Sequence, residues 1–304
     1  MRVLVLGGNG FIGSHLVDKL LEEGHYVRVF DRSEEHYRKP LSSVEYILAE
    51  FGNRGLLAES LEGIDIVFHL ISSTLPKTSN DDPVFDIQSN VVETLFLLEQ
   101  CVLIKIKKII FISSGGCVYG YPQSLPVKED HQTDPICSYG IGKLAIEKYL
   151  YLYKKLYNLD YTILRVSNPF GSRQNPFGTQ GVISVFLGKV SKNECIQIWG
   201  DGRVVRDYLY IDDLVEALII AVNRNTTDHI FNIGSGDGKS INEIIIAIKS
   251  VTGCDFKVIY KDSRACDIPK IYLDISKVSN ELNWHPKTSM EKGVEKTWEF
   301  IKSI

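Results

Sequence analysis

Near the amino terminus an apolar run of strand length, Val3–Leu6, breaks into Gly7-Gly8-Asn9-Gly10-Phe11-Ile12-Gly13. Beyond this GxxGxxG turn, Ile12, Leu16, Val17, Leu20 and Leu21 recur with helical period, and Gly24 follows where a left-handed C-terminal cap belongs. A second run, Val27–Phe30, completes a βαβ unit within about 30 residues. Glycines allow a tight turn and let the backbone approach a diphosphate, whose charge the helix N-terminus stabilises. Gly7, Gly10 and Gly13, with Phe11 and Ile12 in the first helical turn, are therefore candidate cofactor-binding residues. Asp31 ends the second run, near the ~20-residue offset at which a carboxylate accepts hydrogen bonds from a ribose. Such a carboxylate repels a 2′-phosphate, so the expected cofactor is NAD, with Arg32 beside it.

The runs Ile64–Leu70, Ile109–Ile112 and Tyr161–Leu164 are continuously apolar, which predicts strands buried on both faces and so a parallel sheet covered by helices. Helical periodicity marks about 90–103, 138–157, 213–222 and 240–251, the last opening with Ser240 and Glu243 at capping-box spacing. The expected fold class is α/β: a doubly wound parallel sheet of the Rossmann type over 1–169, rejoined by a strand near 229–233. A smaller, discontinuous α/β lobe over 170–304 follows, ending in a helix from Met290. The 304 residues, 44% hydrophobic and 24% charged, suit that pair of lobes. No apolar run reaches the ~20 residues of a membrane span, and a net charge of −4 without a basic stripe predicts neither membrane nor nucleic-acid partners. Six cysteines without CxxC or Cys/His spacing predict no metal site and a reducing, cytoplasmic setting.

Tyr139-Gly140-Ile141-Gly142-Lys143 places a phenol and an ammonium one turn apart on one face of a predicted helix. Tyrosine titrates near 10, so a phenolate useful at pH 7 must be favoured by roughly 4 kcal/mol over its balance in water. A lysine cation and the positive ring of NAD can supply that order of energy in a desolvated site. Tyr139 is the expected general base, and Lys143 its activator and ribose anchor.

Taken together, these motifs resemble the extended short-chain dehydrogenase/reductase superfamily, in its NAD-dependent sugar-nucleotide epimerase/dehydratase branch. The resemblance also rests on Asn90, on Ser113-Ser114-Gly115-Gly116-Cys117-Val118-Tyr119-Gly120 and on Leu164-Arg165-Val166-Ser167-Asn168-Pro169. Gly200-Asp201-Gly202 with Arg206-Asp207-Tyr208, and Arg264-Ala265-Cys266-Asp267, extend it through the second lobe. It implies a UDP-sugar or other nucleotide-diphosphate sugar in the cleft between the lobes. Asn168 would contact the diphosphate-sugar, Arg206 and Arg264 would pair with the phosphates, and Asp267 would support the nucleotide ribose. Asn90 and Ser113 would lie at the cofactor. The resemblance further implies a homodimer built from the helices at about 90–103 and 138–157.

Dehydratases of this branch carry an Asp-Glu pair where this chain has Gly116 and Cys117, neither of which moves a proton as a carboxylic acid does. The remaining chemistry is hydride transfer with one proton at a secondary alcohol. The expectation is NAD-dependent 4-epimerisation of UDP-glucose/galactose or the N-acetyl forms. The alternatives are NAD(P)H-dependent 4-keto reduction of a deoxy-sugar nucleotide, and a non-catalytic dinucleotide-binding sensor. The family's substrate-binding hydroxyl aligns with Gly115, so Ser114 is expected to replace it as a catalytic residue. His69 is expected to pack near the cofactor, and Ile71 to add bulk at the following turn.

Overall fold

A computed structural model describes residues 1–223, 228–263 and 268–304. The chain packs into two compact units, one of Met1–Gly120, Gln132–Arg165 and Val215–Phe231, the other of Tyr121–His131, Val166–Leu214 and Asn232–Ile304. Residues 121–131 thus pack with the second unit, although the sequence reading places them in the first.

In chain order the first unit's elements begin with β1 (Arg2–Leu6), α1 (Phe11–Glu22), β2 (Tyr26–Asp31), β3 (Val44–Leu48), α2 (Arg54–Ser60) and β4 (Ile66–His69). They continue with α3 (Pro83–Asp86), α4 (Glu93–Leu103), β5 (Lys108–Ser114), α5 (Ser138–Tyr157) and β6 (Asp160–Val166). The second unit supplies β7 (Asn168–Phe170), α6 (Val182–Ser191), β8 (Ile196–Trp199) and β9 (Val205–Tyr210). After α7 (Ile211–Asn223) and β10 (Ile230–Ile233) come β11 (Gly238–Ser240), α8 (Ile241–Thr252), β12 (Val258–Lys261), α9 (Ser276–Leu282) and α10 (Met290–Ser303).

Seven strands form one sheet in the order β10-β6-β5-β4-β1-β2-β3, the doubly wound arrangement expected from the buried apolar runs. Strand order reverses between β1 and β4, which pair in parallel with Val3 opposite Ile66 and Leu6 opposite His69. In open sheets of this kind ligands bind beyond the carboxyl ends of the strands that flank such a reversal. Val3, Leu4, Val5 and Leu6 are wholly buried, as are Val67, Phe68, Ile109, Ile110 and Phe111. The core therefore lies on both faces of the sheet, which is why these strands read as unbroken apolar runs.

The structure also differs from the sequence reading. The run Ile64–Leu70 forms a strand only over Ile66–His69, because the Ile64 amide closes a turn on the Leu61 carbonyl. The helix expected from 90 begins earlier, as a π-helical segment, Ile87–Val92, that continues α3 into α4. Edge strand β3 has no counterpart among the apolar runs read from the sequence. The Ser240–Glu243 capping box is present on α8, and Gly24 takes the left-handed conformation after α1. Among the described residues no helix is long and apolar enough to cross a membrane, and no group of three or more His, Cys, Asp or Glu side chains could hold a metal ion.

Candidate active site

At the carboxyl end of β1, Gly7 has φ +84°, and a Cβ on Gly13 would stand 2.1 Å from the Gly7 carbonyl oxygen and 2.6 Å from the Gly8 Cα. The turn accordingly closes backbone on backbone, and no side chain fits at Gly13. Gly8, which the motif spacing leaves unspecified, is equally constrained: a Cβ there would meet Val29 at 2.7 Å. Helix α1 starts from Gly10 in extended conformation without a side-chain cap. Its geometry leaves the amides of Phe11, Ile12 and Gly13 without intrahelical acceptors, facing whatever anion occupies the turn.

Asp31, at the end of β2, is 9% exposed and accepts the amides of Asn9 and Ser33, each at 3.0 Å. Beside it the buried Asn9 donates to the Ser33 carbonyl at 2.7 Å, while its Oδ1 has no hydrogen-bond partner. A glycine cradle, an open helix end, a strand-end carboxylate and an orphaned acceptor converge in one place. Arg32 is exposed next to them.

Beyond β4, His69 is buried between the rings of Phe51 and Phe111, each centroid 5.3 Å away, with its Nε2 2.8 Å from the Thr94 hydroxyl. Burial, with the nearby Lys143 charge, pushes its imidazole down to about 3, so it is neutral. Asn90 lies in the π-helical segment. Its Oδ1 accepts the Ser73 amide at 2.9 Å, and its Nδ2 donates to both the carbonyl and the carboxylate of Asp86 at 3.0 Å. Asn90 therefore fastens the loop after β4 to the helix. Ile71 packs at this same loop, 3.4 Å from the position of a Cβ on Gly7.

Helix α5 carries Tyr139 and Lys143. Its first two amides are capped by side chains distant in sequence: Ser138 N–H donates to Asn80 Oδ1 at 2.9 Å, and Tyr139 N–H to Ser79 Oγ at 3.0 Å. Gly140 lets the helix press onto the turn after β5, since a Cβ there would stand 2.8 Å from the Cys117 carbonyl. The Ser114 hydroxyl hydrogen-bonds the Tyr139 phenol. Lys143, 6% exposed, donates to the Ile112 carbonyl at 3.0 Å and lies 5.6 Å from the Tyr139 ring centroid. Ser113 is turned the other way. Its hydroxyl donates to Glu147, which forms a buried ion pair with Arg165 at 2.6 Å.

The electrostatics of this corner are strongly perturbed. Burial lowers the Lys143 ammonium to about 8, against the opposing charges of Asp86, Glu147 and Cys117. Burial, with Cys117, Cys137 and Asp86, raises the Tyr139 phenol, and the Ser114 hydrogen bond works the other way. Hydrogen bonding from Cys117 and the Gly140 amide lowers the Cys137 thiol, against burial and the Asp86 charge.

In the second unit Asn168 begins β7 and donates to the Asp207 carbonyl at 2.9 Å, in register with Tyr208 of β9. Arg206, on β9, donates to the carbonyls of Val205 at 2.8 Å and Ile268 at 2.7 Å. These two predicted substrate-binding residues thus lie on paired strands. Asp207 is 2% exposed and accepts from Ser235 and Leu273, and burial raises its carboxyl. Arg264 and Asp267 lie outside the described residues. A cavity of about 440 Å³ in this unit, with walls that include Phe170, Tyr208, Lys239 and Met290, is lined by none of the predicted catalytic, cofactor-binding or substrate-binding residues.

The model of the NAD dependent epimerase/dehydratase family matches residues 3–234, and the chain belongs to this family. Its cofactor is accordingly NAD. A putative UDP-glucose 4-epimerase of Methanocaldococcus jannaschii is 37% identical over 99% of this chain and 98% of its own length. A UDP-glucose 4-epimerase of Mycolicibacterium smegmatis is 36% identical over 100% and 99%. The crystal structure of a UDP-glucose 4-epimerase from Thermotoga maritima, with UDP-glucose, superposes with a TM-score of 0.95 at 37% identity, covering 100% of this chain and 99% of that one. The glycine cradle, the open α1 amides and the unpartnered Asn9 Oδ1 fit a dinucleotide.

Proposed function

We propose that the protein is an NAD-dependent sugar-nucleotide 4-epimerase acting on UDP-glucose and UDP-galactose or their N-acetyl forms. The observation that carries this reading is the Tyr139 corner: a phenol hydrogen-bonded by Ser114, a buried lysine one turn further on, and glycine and cysteine where an eliminating enzyme needs carboxylates. Such a site moves one proton at one hydroxyl. The names of the relatives favour a uridine diphosphate hexose.

NAD held by Gly7, Gly10, Phe11, Ile12, Gly13 and Asp31 would supply the acceptor, and then the donor, of the hydride at C4. The residues of the chain do the rest. Tyr139 takes the proton of the sugar 4-hydroxyl and returns it once the 4-keto sugar has presented its other face. Ser114 donates a hydrogen bond to the C4 oxygen and replaces the hydroxyl absent at Gly115. Lys143 stabilises the phenolate and anchors the cofactor ribose. Asn168, Arg206 and Arg264 hold the diphosphate-sugar, arginine being suited to phosphate oxygens by its fork of donors, and Asp267 supports the nucleotide ribose.

The test is to purify the protein, identify any nucleotide that accompanies it, and supply UDP-glucose, UDP-galactose and their N-acetyl counterparts without added reductant. Interconversion of C4 epimers with no net change in nicotinamide absorbance is expected. Turnover only of a 4-keto sugar at the expense of added NAD(P)H would establish a reductase instead, and bound NAD without any turnover a sensor.

A further inference from the structure

Asp86 joins three segments that no motif connects. It ends α3, is 1% exposed, and its Oδ1 accepts from the Asn90 amide at 3.0 Å and from the Thr74 hydroxyl. Its Oδ2 accepts from the Ser138 hydroxyl at 2.6 Å. Ser138 is the residue before Tyr139, so one carboxylate ties the loop after β4, the π-helical segment and the first turn of α5 into a single unit.

A carboxylate withdrawn from water is strongly disfavoured unless its oxygens are well bonded, and here the donors satisfy it. All three donors are neutral, and a neutral side chain of the same shape could bond them too, which leaves the charge itself to be explained. The groups that feel it are Lys143, Tyr139 and the Cys137 thiol, each favoured in its protonated form. Tyr139 also faces Cys117, Cys137 and the Ser114 hydroxyl. Lys143 also faces Glu147, Cys117 and the neutral imidazole of His69.

We propose that Asp86 is a positioning residue for the epimerisation, fixing Tyr139 through Ser138 and holding Lys143 as an ammonium by its buried negative charge. The proposal rests on the reading of Tyr139 and Lys143 given above. A negative charge favours the protonated form of both neighbours, so its removal makes both titrate at lower pH. The pair shares its two apparent values, and both limbs of the activity profile move together.

In the intact protein, Asp86→Asn is expected to move the acid and alkaline limbs of kcat downward by roughly 0.5–1 in pH. Ser138→Ala, which cuts the mechanical tie and keeps the charge, is expected to lower kcat about 10-fold with the limbs in place. A second readout needs no turnover: in the NAD-bound protein labelled with ¹³C-tyrosine, the resonance lost in Tyr139→Phe titrates at lower pH in Asp86→Asn. Should Asp86→Asn fail to fold, the smaller neutral Asp86→Ser carries the same expected changes. Unmoved limbs and an unmoved tyrosine titration in a folded neutral variant would overturn the proposal, as would equal movement of the limbs in Ser138→Ala. An active Tyr139→Phe would instead overturn the reading beneath it.

Discussion

Helices α1 and α5 begin in opposite ways. Gly10 opens α1 without a side-chain cap, leaving the amides of Phe11, Ile12 and Gly13 for a ligand. At α5 the corresponding amides of Ser138 and Tyr139 are closed by Asn80 and Ser79, and the Ser138 hydroxyl is held by Asp86. An open helix end binds an anion, whereas a closed one fixes a side chain in place. In the proposed function one helix terminus holds the cofactor and the other aims the phenol.

Substitutions at the two ends should separate binding from chemistry. The largest effect is expected for Tyr139→Phe, which removes the proton carrier: kcat falls by about 10²–10⁴-fold, and NAD retention, followed by fluorescence or by analysis of extracted nucleotide, is unchanged. At the other end, Gly13→Ala pushes a methyl against the Gly7 carbonyl, where only backbone could yield. Loss of bound NAD and destabilisation of about 1–3 kcal/mol, read by denaturant titration, are expected. If Gly13→Ala kept its NAD and Tyr139→Phe lost it, the contrast between the ends would be reversed.

A pH titration sharpens the comparison further. Near the closed end burial lowers Lys143 to about 8, well below free lysine. The ammonium is therefore lost as pH rises through that value, and kcat should decline above it, while retention of NAD by the open backbone amides stays flat. The smallest effect is expected for Ser79→Ala. Loss of one cap on α5 should cost about 1 kcal/mol in stability and lower kcat a few-fold, with the KM for the sugar nucleotide little changed.

The two ends were not equally legible in the sequence. The α1 end lies within a few residues of chain, where glycine spacing, the preceding strand and Asp31 announce it together. Helix α5 was legible as well, with the same bounds, Ser138–Tyr157, because its periodic face is long and ends at Asn158 in the left-handed conformation. Its closing partners were not. Ser79, Asn80 and Asp86 lie 60, 58 and 52 residues away from the groups they bond, and serine, asparagine and aspartate in a polar loop carry no period that would single them out.

Local geometry hid other features. The edge strand β3 carries Glu45 and Tyr46 side by side between Val44 and Ile47 and so lacks the continuous run of the central strands. In the second unit, β7 and β11 are only three residues long and exist through their register with β9. The π-helical segment around Asn90 carries a local bond to Asp86 and accepts the Ser73 amide from the loop after β4, neither of which composition announces.

The measurement that bears most directly on the proposed activity is the fate of the C4 hydrogen. UDP-galactose deuterated at C4, incubated with the protein in ordinary water together with unlabelled NADH, is expected to give UDP-glucose that keeps its deuterium at C4, because the same hydride leaves and returns within one site. Product that has lost the label to the added cofactor, or no UDP-glucose at all, would contradict the account.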